Sequence, residues 1–138
     1  MKVLGFNLTK IHASREEKFE NPGSMVTNIE FTDVSKDTLP MLKSEEIVKA
    51  GFKYTVLYEP KNAEISFAGS ILLSLDDDTA KEVLKSWKKN EIPEKIKIPL
   101  INLIMTKCNV RALELEEQLN LPLHLKFPRV SGVQAPKT

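Results

Sequence analysis

A chain of 138 residues, 41% hydrophobic and 28% charged, has the composition of one globular domain and lies well away from the disordered regime. Its 20 basic and 19 acidic residues leave a net charge of +1, which argues against a dedicated nucleic-acid binder with its clustered basic excess. One cysteine, Cys108, excludes an internal disulfide and fits a reducing compartment, and no stretch reaches the roughly 20 apolar residues that cross a bilayer. The opening "MKVLGFNLTKIHA" has no apolar run of signal-peptide length, so the expected location is the cytoplasm, without membrane insertion.

In chain order, "FNLTKIHA" places Phe6, Leu8, Lys10 and His12 on one side of a first strand. The charged stretch "SREEKFENPGS", with Pro22-Gly23, is longer than a hairpin turn, and "NIEFTDV" then aligns Ile29 with Phe31 in a second strand. The third, "VKAGFKYTVLY", sets Val48, Ala50, Phe52, Tyr54, Val56 and Tyr58 on one face. After the turn "EPKN", the fourth does the same with Ala63, Ile65, Phe67, Ile71, Leu73 and Leu75. Period-two alternation marks strands with one dry face, and Pro60-Lys61-Asn62 supplies hairpin chemistry. Four strands, arranged antiparallel, are predicted.

The period then changes. "DDDTAKEVLKSWKKN" opens with N-cap candidates Asp76 to Asp78 and carries Ala80, Val83, Leu84 and Trp87 at helical spacing. The prolines of "IPEKIKIP" are predicted to break it, with a second helix running from Leu100 to about Leu119. Its main stripe is Ile101, Met105, Cys108, Ala112, Leu115 and Leu119. Leu103, Val110 and Leu113 form a second stripe, which calls for a partner helix from another copy of the chain or for cover by the short helix. The expected architecture is α+β: a four-stranded antiparallel sheet followed by a short and a long helix, in one domain over residues 1–130. The final "SGVQAPKT", 131–138, reads as a frayed tail.

Little here speaks for catalysis. His12, His124 and Cys108 lack the paired local spacing of a zinc site, and Cys108 fits a small core residue. Asp76 to Asp78 could ligate magnesium, but helix capping accounts for them; the acidic pairs at 16–17 and 116–117 read as solvated faces. The glycines are too scattered for a phosphate loop, and "KSWKKN" reads as a solvated helix end rather than a nucleic-acid contact. No catalytic, cofactor or metal residues are assigned, and the chain is not read as an enzyme. What remains is an apolar surplus in loops, helix ends and the closing segment: Met25, Val26, Leu39, Met41, Leu42, Trp87, Ile92, Leu121, Leu123 and Phe127. A Met- and Leu-containing apolar surface suits recognition of many sequences.

Several strings, in their order, resemble the SecB-type protein-export chaperones. "FNLTKI" is similar to that family's aromatic-x-aliphatic-x-basic-Ile opening, and "FENP", Phe19 to Pro22, to its Phe-Glu-x-Pro. Pro99 matches a proline at the start of its main helix, and "LPLHL" its proline followed by alternating leucines. The main helix here is about two turns longer on helix pitch, and the chain is neutral where bacterial members are acidic. The resemblance implies a tetramer, a dimer of dimers with helices sandwiched between two sheets, that holds unfolded or nascent polypeptide clients in apolar grooves without ATP or another cofactor. It offers Phe19, Met25, Val26, Leu42, Trp87, Ile92, Leu121 and Phe127 as groove candidates, and Leu103, Val110 and Leu113 as the oligomer interface. Docking to the export motor uses acids on the sheet. Only Glu20 falls on a matching position, and Ser66 stands where the fourth strand would supply another, which argues against delivery to that motor. Some relatives instead guard an antitoxin, so a dedicated partner-binding role is the alternative.

Overall fold

The computed structural model describes residues 1–20, 23–37, 46–60, 62–128 and 130; Pro22, Leu42 and the expected tail at 131–138 lie outside the described residues. Four strands, β1 (Lys2–Arg15), β2 (Ser24–Asp37), β3 (Glu46–Glu59) and β4 (Ala63–Leu75), make one antiparallel sheet in the order β1-β4-β3-β2. Helices α1 (Asp77–Trp87) and α2 (Glu94–Gln118) follow, giving the expected α+β class.

The two central strands follow their sequence pattern. Val48, Ala50, Phe52, Tyr54, Val56 and Tyr58 of β3 are buried beside Ile65, Phe67, Ile71 and Leu73 of β4, and Tyr54 stands directly opposite Phe67. With neighbours on both edges and helices over one face, these strands supply most of the core. Because β1 lies beside β4 and not β2, the connection from β1 to β2 has to pass the end of the sheet. It does so around the β3–β4 turn, where the Glu16 N–H donates to Asn62 O at 2.8 Å and the Gly23 N–H to Glu59 O at 2.7 Å.

The edge strand β1 departs from its expected phase. A register shift between Leu8 and Lys10 sets Ile11 opposite Phe67 and Ala13 opposite Ile65, while Lys10 and His12 face Ala68 and Ser66 on the other side. The cause is a β-bulge, which adds a residue and inverts every side chain after it. β4 accommodates the bulge with Gly69, where a Cβ would run into the Asn7 carbonyl oxygen.

The long helix also differs from expectation. Pro93, not Pro99, marks its boundary, and Pro99 lies inside it. Lacking an N–H, Pro99 leaves the Lys95 carbonyl without its intrahelical donor; both residues are exposed, so water can serve that carbonyl. The buried ridge is Ile96, Leu100, Ile104, Cys108, Ala112 and Glu116, a run of four-residue steps. Met105 and Ile101 of the expected stripe are exposed and half-buried, whereas Cys108 and Ala112 are buried. A helix that is apolar on several sides does not announce which ridge packs. Its crossing of β3 and β4 selects the row at i, i+4.

Both helices end alike. Asn90 and Asn120 take positive φ (60° and 54°) and complete Schellman motifs, in which Glu91 N–H donates to Ser86 O at 3.2 Å and Leu121 N–H to Glu116 O at 2.8 Å. At its start, α1 is capped as expected: Asp76 Oδ1 accepts from the Thr79 N–H at 2.7 Å, and that bond lowers the Asp76 carboxyl pKa below its usual range. Among the described residues, no helix is long and apolar enough to cross a membrane.

Candidate functional site

After α2 the chain runs back across the helix-covered face of the sheet as a strap, 121–127, and a set of polar contacts ties it down. Glu116, the last member of the buried ridge, points inward with no exposure. Its Oε1 accepts from the His124 main-chain N–H at 3.1 Å, and its Oε2 lies 2.7 Å from His124 Nδ1. The Tyr54 hydroxyl donates to Asn109 Oδ1 at 2.6 Å, and both atoms lie 3.1 Å from His124 Nε2. Four residues further along β3, on the same face, the Tyr58 hydroxyl donates to Pro122 O at 3.2 Å. Burial above all, with the Glu116 charge adding to it, raises both phenols' pKa, so each remains a donor.

Arg15, at the end of β1, holds the root of the strap. Its guanidinium donates to Leu119 O at 3.3 Å, Asn120 O at 3.4 Å and Glu17 O at 3.1 Å, and lies 5.4 Å over the Phe19 ring. Phe19 in turn meets Tyr58 edge-on, centroids 6.1 Å apart. The crossing connection, the sheet and the strap are therefore joined at one corner. The Glu116–His124–Asn109–Tyr54 cluster has the residue types of an acid–base site, but its members spend their polar atoms on one another. The His124 and Glu116 side chains are 3% and 0% exposed. What the cluster does is fix the strap.

The expected groove residues fall into three groups. Ile92 and Leu121, 8% and 6% exposed, belong to the core: Ile92 follows the turn after α1, and Leu121 follows the Schellman turn that aims it inward. Phe19 and Trp87 are half-buried against that core. Met25, Val26 and Phe127 are exposed, Phe127 at 58%. Met25 pairs with Tyr58 and Val26 with Leu57, so the two project from opposite faces and cannot line one groove together. Of the expected interface residues, all on α2, Val110 is exposed at 57%, while Leu103 and Leu113 are half-buried, Leu103 against the core. Glu20 is exposed on the crossing connection, where its carbonyl accepts from Asn62 Nδ2 at 3.4 Å. Ser66 is buried in the sheet.

Among the clefts that the described residues form, two bear most directly on the expected groove; Phe127 also lines a third with Leu123, Leu125 and Lys126. The first, about 370 Å³, lies between the edge strand β2 and the α1–α2 turn, where Ile29, Phe31, Trp87 and Ile92 are joined by Glu30, Thr32, Asn90 and Lys97, so that it is more polar than apolar. The second, about 350 Å³, separates the end of α2 from the strap and is lined by Leu113, Leu123 and Phe127 with Glu114, Glu117 and Gln118. Cys108 lies beneath α2; burial pushes its thiol up to about 11, the opposite of what a nucleophile requires. Among the described residues no group of His, Cys, Asp and Glu is placed to hold a metal.

No family model and no curated protein matches the chain. Among solved structures, the chain is similar to a SecB-like chaperone of Mycobacterium tuberculosis, Rv1957, in complex with a ChAD peptide from the antitoxin HigA1 (Rv1956). The match has a TM-score of 0.53 at 15% sequence identity and covers 94% of this chain and 90% of that one. The likeness is one of fold, and it extends over nearly the whole length of both chains.

Proposed function

We propose that this chain is an ATP-independent holdase chaperone of SecB-like type, which binds unfolded or nascent polypeptides in apolar grooves and uses no cofactor. The observation that carries the reading is the open apolar cleft at Phe127, joined by a more polar cleft at Trp87, on a fold shared with a chaperone seen with a peptide. Burying apolar client surface yields roughly 25 cal/mol per Å², offset by the cost of ordering the client, so many weak contacts along a groove hold a chain without demanding one sequence. The free edge of β2, beside the Trp87 cleft, could add backbone pairing to such contacts. Phe19, Met25, Trp87 and Phe127 are the groove residues we favour. Ile92 shapes the cleft from below.

The reading includes a homo-oligomer, a tetramer by resemblance, with Val110 and its neighbours on α2 as the contact, and a cytoplasmic location. It does not include nucleic acid, membrane insertion or delivery to an export motor, since Glu20 stands without a second acid at Ser66. A second reading has its own support: the peptide in the similar structure comes from an antitoxin, so the clefts could serve one dedicated partner.

The test is suppression of aggregation of several unrelated denatured clients, followed by light scattering. A dose-dependent delay for most of them supports the holdase. No effect on any client at equimolar protomer would remove it. Protection confined to one protein encoded beside this chain would favour the dedicated partner.

A further inference from the structure

The Trp87 cleft has a charge that the Phe127 cleft lacks. Around Ile29, Phe31, Trp87 and Ile92 stand the last turn of α1, which carries Lys85, the turn after it, with Lys88, Lys89 and Glu91, and the first turn of α2, with Glu94 and Lys97. Lys97 lines the cleft itself, and Lys88 and Lys89 lie between the lining residues Trp87 and Asn90. Neighbouring lysines are already paired, Lys81 with Asp77 at 3.1 Å and Lys95 with Glu82 at 2.8 Å. Lys85, Lys88, Lys89 and Lys97 make no ion pair among the described residues. Glu30, the acid in the lining, has Lys53 directly opposite it across the β2–β3 pair. The backbone of the wall is also held: Asn90 N–H donates to Trp87 O at 2.8 Å within the Schellman turn. The Phe127 cleft, by contrast, is rimmed by Glu114 and Glu117.

We infer that the cleft between β2 and the α1–α2 turn binds apolar polypeptide segments flanked by Asp or Glu, with Lys88, Lys89 and Lys97 selecting the acidic flank and Trp87 covering the apolar centre. The inference rests on the peptide-holding reading and gives it a chemical preference. Set against Glu91 and Glu94, the four lysines leave a net of two positive charges, and the carboxyl end of the α1 dipole offsets only about half an elementary charge of that. An occupant bearing carboxylates uses that excess. One bearing lysines would be repelled by it.

The chain contains one tryptophan, so Trp87 emission reports on this cleft without a label. Two peptides lacking Trp and Tyr, with the same Leu- and Val-rich centre, are compared: one flanked by Asp and Glu, the other by Lys. The acidic peptide should bind about ten-fold more tightly at low salt, the order expected from two or three exposed ion pairs, and added salt should narrow the gap. Trp87 emission should shift and saturate with the binding curve. The triple substitution Lys88→Glu, Lys89→Glu, Lys97→Glu changes only exposed positions and should cancel or reverse the preference, while the melting temperature falls by only the few degrees expected from unfavourable charge at the end of α1. Equal affinity for both peptides, a preference untouched by the charge reversal, or unchanged Trp87 emission at peptide saturation would overturn the inference. So would a Trp87 shift that follows protein concentration alone, since a second copy would then occupy the cleft. Retained suppression of client aggregation alongside any of these results leaves the chaperone reading standing and removes only the preference; loss of suppression removes both.

Discussion

Glu116 shows most clearly what one side chain does here. It sits in the buried ridge where a hydrophobic residue would be expected, and it is tolerated because two His124 N–H groups satisfy its carboxylate. Glu116→Ala strips both donors of their acceptor in a site closed to water, so a loss of about 3 kcal/mol is expected in urea unfolding. Its neighbour Glu117 is exposed, and Glu117→Ala should stay within about 0.5 kcal/mol. Equal effects at the two positions would mean that the buried tie contributes nothing. Cys108, on the same ridge, carries a different signature. Burial raises its thiol from the ordinary 9.0 to about 11. A folded-state value above the unfolded one means that the stability from burying the neutral thiol is intact below pH 9.0 and is lost as pH climbs toward 11. Cys108→Ala removes that titration, so its stability should fall less steeply than the parent's over the same interval. The slopes decide this, not the absolute stabilities, because the truncation also costs packing.

At the scale of elements, the strap divides into an anchored half and an open half. Leu121 is buried by the turn at Asn120, and His124 is clamped by Glu116, whereas Phe127 stands out at the rim of a cleft. Leu121→Ala should therefore cost about 2–3 kcal/mol in chemical denaturation, the usual range for a truncated core leucine. Phe127→Ala should leave stability nearly unchanged and weaken suppression of client aggregation. If Phe127→Ala destabilises as much as Leu121→Ala, the whole segment is core and the second cleft is no groove. The same contrast shows what the sequence could disclose. The dry faces of β3 and β4 and the Asp76 cap depend on local spacing, and they were legible. The phase of β1 was not, because its bulge is accommodated by Gly69 on another strand, some sixty positions away in the chain. The packing ridge of α2 was hidden by apolar residues on its other sides. One signal did exist: Glu116 extends the series Leu100, Ile104, Cys108, Ala112 by one more step of four, and a carboxylate in that row has to find a buried partner. Reading Glu116 with Glu117 as one solvated pair concealed it, and with it the role of His124.

At the scale of the molecule, α2 leaves a question that a single protomer does not answer. With one ridge on the sheet, the helix still exposes Ile98, Met105 and Val110, and the outer strand β1 exposes Val3 and Ile11. Scattered apolar residues are ordinary on a surface. Here, however, they recur over three turns of one helix, Ile98 and Met105 on one flank and Val110 on another, and the sheet has a free edge at β1, a combination that isolated proteins normally blunt with charge. Self-association would cover such surfaces. Light scattering should accordingly give a mass that is a multiple of the protomer. The decisive variant is Val110→Glu, placed on a position exposed in the protomer and therefore cheap for folding. If this face is the contact, burying the new carboxylate unpaired costs several kcal/mol, enough to shift the particle to a smaller species at micromolar concentration. Secondary structure by circular dichroism should be unchanged. A wild-type chain that is already monomeric would exclude the helix-sandwich assembly, and an unshifted oligomer in the variant would move the contact to the β1 edge.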